Sequence, residues 1–367
     1  MNASPTSCGQ RAARPVDALE RAAAGQRLSS ADITALLESR DLLALGRAAD
    51  AVRWRLHPER VITYVVDRNI NYTNVCVSGC EFCAFYRHEG HAEAYVLSFE
   101  ELGRKIEETL ALGGTQILLQ GGLHPTLDLS WYEDMLRFIK NSYGIHIHGF
   151  SPPEIVHLAR RAELSLRDCL GRLREAGLDS IPGGGAEILS DRVRRKLSPR
   201  KCTKAQWLAV MRTAHELGMR TTATMMFGHI ETSAEIAEHL LAVRELQDET
   251  GGFTAFIPWS FQPANTALGG AEVGGAAYLK VLAVSRLALD NVANLQASWV
   301  TQGGHLAQVA LRFGANDMGS TMIEENVVAA AGVTYRLPRE DLVRLIQDAG
   351  FAAQQRDCYY NRLTVGG

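Results

Sequence analysis

Val61-Ile62-Thr63-Tyr64-Val65-Val66-Asp67 leads through a polar stretch into Cys76-Val77-Ser78-Gly79-Cys80-Glu81-Phe82-Cys83. The first run is short, apolar and rich in β-branched residues, which reads as a buried strand. The loop after it carries three thiols where a doubly wound dinucleotide fold would carry a glycine-rich turn. Similar short runs recur at 116–119, 145–150, 179–181, 220–226, 253–257, 295–300 and 317–322. Between them lie segments of helical period at 98–112, 130–142, 203–217, 233–249, 276–291 and 304–313. One strand every ~30–40 residues, alternating with helices, implies βαβ units and a parallel sheet. About eight such units suit an α/β fold of the TIM type, a closed (β/α)8 barrel, or a partial barrel of six units with extensions. The chain divides accordingly into an N-terminal helical extension (1–58), the barrel (59–330) and a C-terminal strand–helix extension (331–367). In the first, 17–52 reads as helix with Ser30 as an N-cap. In the last, a short strand from Thr334 precedes a helix over 338–349.

Composition narrows the function classes. A net charge of −3 and a pI near 6.4 give no electrostatic reason to expect nucleic acid. No apolar run is long enough to span a bilayer, and residues 1–15 lack the apolar core of a secretory signal. A cytoplasmic location is therefore expected. Seven cysteines, three of them in one loop, do not form a disulfide framework in a chain of 367 residues. Clustered thiols in a reducing compartment hold metal or do chemistry.

In a barrel the loops after the strands carry the chemistry. Polar and glycine-rich residues gather there, as in Gln120-Gly121-Gly122-Leu123-His124-Pro125, Phe150-Ser151-Pro152-Pro153-Glu154 and Pro182-Gly183-Gly184-Gly185-Ala186-Glu187. The thiols stand at C-x3-C-x2-C spacing. Thiolates are soft ligands suited to zinc, copper(I) and iron–sulfur clusters. A zinc site would need a fourth ligand, which His88 or His91 could supply. A cubane held by three cysteines instead leaves one iron open to a chelating ligand.

This loop, with Phe82 before the third cysteine, resembles the signature of the radical S-adenosylmethionine (SAM) superfamily. The likeness extends from the first strand to Arg336. It implies that Cys76, Cys80 and Cys83 bind a [4Fe–4S] cluster, that SAM chelates the open iron, and that one-electron reduction yields methionine and a 5′-deoxyadenosyl radical. The resemblance also gives Phe82, Gly121, Gly122 and Glu187 to the cofactor, with Arg192 or Arg212 as substitutes for a carboxylate-holding arginine.

Longer stretches, among them Thr221-Thr222-Ala223-Thr224-Met225-Met226-Phe227-Gly228-His229 and Gly319-Ser320-Thr321-Met322-Ile323-Glu324-Glu325-Asn326-Val327, resemble the menaquinone and deazaflavin branch. Ile257-Pro258-Trp259-Ser260-Phe261-Gln262-Pro263 and Gln296-Ala297-Ser298-Trp299-Val300 are most similar to the cyclases of the futalosine route, ahead of aminofutalosine synthase and FO synthase. The implied reaction is an intramolecular ring closure of dehypoxanthine futalosine by an oxidoreductase primed by flavodoxin or ferredoxin. A base must take the final proton; Glu324, Glu325, His229 and Asp317 are the candidates. Ser151, Trp259 and Trp299 are placed against the substrate, with Phe261 as a further flank and Arg87 or Arg60 as partners for its carboxylate.

Other features have plainer readings. His146 and His148 share one strand face and are expected as hydrogen-bonded barrel histidines rather than a metal pair. The basic run 192–201 reads as a solvated helix face. Cys8, Cys169, Cys202 and Cys358 lack ligand spacing, which argues against a second cluster. A non-catalytic iron–sulfur carrier or a zinc-stapled binding module is the alternative from another class.

Overall fold

A computed structural model describes residues 14–363. Three helices come first, α1 (Pro15–Ala23), α2 (Ser30–Glu38) and α3 (Leu42–Leu56). One helix is expected from the sequence, and the polar breaks at 24–29 and 39–41 divide it. Ser29 rather than Ser30 is the N-cap, accepting from Asp32 N while Asp32 caps in return.

The alternation then runs β1 (Val61–Val65), β2 (Asp67–Asn71), α4 (Phe99–Ala111), β3 (Gln116–Gln120), α5 (Leu129–Tyr143), β4 (His146–Gly149), α6 (Pro152–Arg161) and α7 (Leu166–Ala176). It continues with β5 (Ser180–Ile181), α8 (Asp191–Leu197), α9 (Lys204–Glu216), β6 (Arg220–Phe227), α10 (Ser233–Thr250), β7 (Phe253–Ser260), α11 (Gly275–Ala288) and β8 (Asn294–Leu295). The last elements are α12 (Trp299–Gln302), α13 (Gly304–Ala310), β9 (Asp317–Ser320), α14 (Val327–Ala330), α15 (Arg339–Asp348) and β10 (Ala352–Gln355).

Strands β2 to β8 form one parallel sheet in chain order. Hydrogen bonds carry the sheet round from β8 to β9, with Asn316 N donating to Leu295 O and Ala297 N to Asp317 O. From β9 they return to the first strand, pairing Thr63 with Asp317 and Val65 with Ser320. Thr321 N then donates to Val65 O and Ile323 N to Asp67 O. β1 and β2 thus act as one barrel strand interrupted at Val66, and the strands curl into a barrel. β10 pairs with β1 on its other edge, Val61 opposite Ala352.

Side chains alternate along each strand. Ile117, Leu119, Ala223, Met225 and Phe256 point to the helices and are fully buried. Val65, Asp67, Asn69, Gln116, Leu118, Gln120, Thr222 and Thr224 point inward. An ordinary barrel fills its centre with Val, Ile and Leu. This one lines it with amides, hydroxyls and a carboxylate, and so keeps a cavity.

Three expectations are corrected. Of residues 295–300 only Leu295 belongs to a strand, the two-residue β8, before Trp299 begins a helix. The C-terminal strand follows its helix instead of preceding it. Helices α6 and α7 lie in segments the periodicity left unassigned, and α8 ends at Leu197, short of the helix face expected over 192–201. Among the described residues no helix is long and apolar enough to cross a membrane.

Candidate active site

The cysteine loop leaves β2 and is tied down at several points. Cys76 N donates to Arg87 O (2.9 Å), Val77 N to Leu123 O (3.0 Å) and Glu81 N to Leu197 O (3.0 Å). Gly79 adopts φ of 57°, and a Cβ there would lie 2.2 Å from the Arg200 guanidinium. A Cβ on Gly122 would lie 2.1 Å from the Val75 carbonyl oxygen, and one on Gly121 2.3 Å from the Tyr72 ring. Both glycines are therefore required by packing against the cysteine loop and β2. The Gly121 N–H donates to Glu154 (3.1 Å).

The sulfurs attract polar hydrogens. Cys76 Sγ accepts from Leu123 N (3.3 Å) and Ser78 N (3.4 Å), and Ser78 Oγ lies 3.1 Å from Cys80 Sγ. Burial pushes the free Cys80 thiol up to about 11, so a metal must supply the charge that makes it a thiolate. Among the described residues no three Cys, His, Asp or Glu side chains converge on one ion. A mononuclear zinc site needs such convergence, whereas a cubane takes each thiolate on a different iron. His91 Nδ1 instead accepts from Glu93 N, and His88 packs edge-on to Tyr86. The donor set and the N–H groups aimed at sulfur fit a cluster.

Behind the loop lies a charged group that sequence reasoning missed. Lys201 Nζ bonds Glu187 (2.9 Å) and lies 4.9 Å above the Phe82 ring. Burial alone would lower its pKa; the neighbouring Cys80 and Glu187 hold it well above the usual lysine range. Glu187 is buried with φ of 42° and also faces Arg194 at 3.4 Å. Despite burial, Lys201 and Arg194 keep its carboxyl below the ordinary range. The expectation that Arg192 or Arg212 could stand in for the carboxylate-holding arginine is corrected: they pair with Glu235 and Glu249 at the surface. Gln206 caps α9, and Trp207 is core.

A cavity of about 270 Å³ occupies the barrel. Its floor is closed by Arg356, Cys358 and Tyr360 from the segment after β10. Its upper wall includes Trp259, Trp299, Glu325, Val327 and Val328. A smaller cavity of about 40 Å³ is bordered by Phe82, Cys83 and Ala84, and shares Trp259, Val327 and Val328 with the first. The cysteine loop and the barrel interior therefore meet across one wall.

The expected bases are sorted by this geometry. Asp317 lies below the cavity, held by Arg356 at 2.6 and 3.0 Å and by Thr63 at 2.5 Å. His229 is enclosed, its Nε2 donating to Met226 O and its Nδ1 2.7 Å from Glu231. Glu324 points outward to Lys105 (2.7 Å) and Asn326. None of the three lines either cavity. Glu325 does, accepting from Asn69 Nδ2 (2.7 Å), Val327 N and Val328 N, and burial raises its pKa.

Ser151 is also removed from the cavity: its Oγ donates to Glu154 (2.5 Å), which also accepts from Tyr72 OH (2.6 Å). Burial pushes Glu154 up to about 7. Trp259 and Trp299 do line the cavity, and Trp299 Nε1 donates to Ser320 O. Phe261 borders the smaller one. His146 and His148 meet through the Ser180 hydroxyl at 2.8 and 2.7 Å. His124 Nδ1 accepts from Thr126 N and Leu127 N. Arg87 donates to the carbonyls of Ala84, Phe85 and Tyr86 and so shapes the loop instead of reaching a ligand. Arg60 is exposed. Cys169, Cys202 and Cys358 are buried free thiols, and Cys8 lies outside the described residues.

Comparison with known proteins agrees with the fold. The [FeFe]-hydrogenase maturase HydG from Carboxydothermus hydrogenoformans superposes with a TM-score of 0.74 at 18% identity, covering 94% of this chain and 80% of that one. Methylornithine synthase (PylB) gives 0.69 at 19% identity, covering 92% and 97%. The radical SAM superfamily is matched over residues 70–243, and the CofH/MqnC C-terminal region over 250–366. Fold and cysteine loop together define a radical SAM enzyme.

Cyclic dehypoxanthine futalosine synthase of Halalkalibacterium halodurans is 47% identical over 93% of each chain. That of Streptomyces coelicolor is 43% identical over 95% of this chain and 88% of the relative. The 5-amino-6-(D-ribitylamino)uracil–L-tyrosine 4-hydroxyphenyl transferase of Archaeoglobus fulgidus is 43% identical over 86% and 93%. The chain belongs to the CofH/MqnC family of radical SAM enzymes.

Proposed function

We propose that the protein closes dehypoxanthine futalosine into its cyclic form in menaquinone biosynthesis, as an oxidoreductase in which Cys76, Cys80 and Cys83 hold a [4Fe–4S] cluster. The observation that carries this reading is the polar barrel cavity sharing a wall with the space beside Cys83. When bound, the cluster and SAM supply a hydrogen-abstracting adenosyl radical.

The chain's own residues then bind, orient and move one proton. Trp259 and Trp299 present aromatic faces to the substrate ring. Asn69, Gln116 and Gln120 offer polar atoms to its ribose. Among the described residues Arg356 is the one Lys or Arg on the cavity wall. Three of the five N–H donors of a guanidinium go to Asp317 and Asp357 O, which leaves two for the substrate carboxylate. Hydrogen leaves C4′ of the ribose and the resulting carbon adds to the ring. Restoring aromaticity requires loss of one electron, which the cluster held by Cys76, Cys80 and Cys83 would take back, and of one proton, for which Glu325 on the cavity wall would be the acceptor. Enclosure by the barrel holds the reacting carbons together and keeps water out. Flavodoxin or ferredoxin supplies the priming electron.

The transferase relatives favour one second reading, attack on a ribitylaminouracil by a tyrosine-derived fragment. Anaerobic incubation with each substrate set and mass spectrometry separates the two. Cyclised futalosine product supports the proposal; a tyrosine-dependent uracil adduct, with no reaction of dehypoxanthine futalosine, overturns it.

A further inference from the structure

The basic run 192–201 does not behave as one solvated face. Arg192 is paired with Glu235, Arg194 is buried on Glu187 and backbone carbonyls, and Lys201 is committed to Glu187. Arg195, Lys196 and Arg200 remain, all exposed and none in an ion pair among the described residues. Their segment is pinned to the cysteine loop, for Glu81 N donates to Leu197 O and Arg200 Nε donates to Ser78 O. At this point the loop reaches the surface. Val77 is 39% exposed, and the Cys76 and Cys83 side chains are only half-buried. Glu81 is the one acid between Cys76 and Cys83.

We propose that Arg195, Lys196 and Arg200, on the segment pinned to the cysteine loop, form with the exposed Val77 the docking surface for an acidic one-electron carrier protein. The inference rests on the radical SAM reading of the cysteine loop. Three unpaired cations on a chain of net charge −3 make a local positive field, which steers an acidic partner to the place where the loop is thinnest. One exposed apolar side chain on the loop and exposed cations on the segment tied to it suit the weak, transient interface of an electron-transfer encounter. The carrier loses one electron, the cluster gains it, and no bond forms or breaks.

The test uses the cluster-loaded enzyme and, as probe, a reduced flavodoxin of strongly negative net charge. Arg195→Glu with Lys196→Glu leaves the contact between Arg200 and Ser78 intact. At low ionic strength the rate of flavodoxin oxidation and the affinity for flavodoxin should fall about tenfold or more. That difference should shrink as salt is added. Reduction by dithionite should be unchanged, as should both readouts in Arg55→Glu, on α3. An Arg195→Gln, Lys196→Gln pair should show a smaller loss of the same kind if the reversed pair folds poorly. Equal flavodoxin rates in parent and variants at low salt, or no salt dependence in the parent, would overturn the docking surface. Absence of a reducible cluster under dithionite in the parent would instead defeat the reading on which it rests.

Discussion

At the scale of single residues, Glu325 and Glu154 divide the work that a buried carboxylate can do. Glu325 faces the cavity, and its neighbour Glu324 turns to Lys105 on the outside. The Glu325→Gln variant should still consume SAM but form cyclised product 10²-fold or more slowly, so deoxyadenosine and product uncouple; liquid chromatography of both measures the ratio. Glu154 lies behind Gly121 and bonds Tyr72 and Ser151. Its folded-state pKa of about 7 stands above the ordinary 4.5. The folded protein therefore holds more protons than the unfolded chain between those values, and stability falls as pH rises through that window. Glu154→Gln should flatten this slope, by on the order of 3 kcal/mol between pH 4.5 and 8, in denaturant melts at each pH. Which of two adjacent glutamates enters a cavity was not legible in Glu324-Glu325, because that choice depends on the exit direction of β9. Lys201 was hidden for another reason. It closes a run of surface cations, and only its contact with Glu187 marks it as buried.

At the scale of elements, the cysteine loop depends on glycines for close approach. A methyl at Gly122 meets the Val75 carbonyl, which is backbone and has nowhere to go. Gly122→Ala should fold but reconstitute with well under half of the parent's iron, by iron assay and absorbance near 400 nm. The strands with apolar, β-branched runs were readable because burial on both faces demands such sequences. The inward polar positions Asp67, Asn69 and Asn71 continue the first strand beyond its apolar part, and their alternation was the available sign of a polar interior. β8 meets the expected run 295–300 only at Leu295, because a two-residue strand carries too little pattern to fix its bounds. α12 was read as strand because Ala297-Ser298-Trp299-Val300 is apolar and short, and neighbouring packing rather than local preference decides such segments.

At the scale of the whole molecule, the barrel is closed at the bottom by the segment 352–360. β10 adds to β1, and the chain then sends Arg356 beneath β9 to Asp317. Breaking this buried pair by Arg356→Leu should destabilise by about 3–5 kcal/mol through the stranded Asp317 carboxylate. Arg356→Leu with Asp317→Leu should recover part of that, and a double-mutant cycle in urea reads the coupling. The pairing of β10 with β1 joins Val61 to Ala352, far apart in sequence, so no local pattern could announce it.

The claim that most depends on all three scales is that this barrel directs the adenosyl radical to the sugar of its own substrate. Dehypoxanthine futalosine carrying deuterium at C4′ tests it in one anaerobic incubation with SAM and a reductant. The account predicts one deuterium in the released 5′-deoxyadenosine and a cyclised product that lacks it. Unlabelled deoxyadenosine with unreacted substrate, or an adenosyl group joined covalently to the substrate, would contradict it.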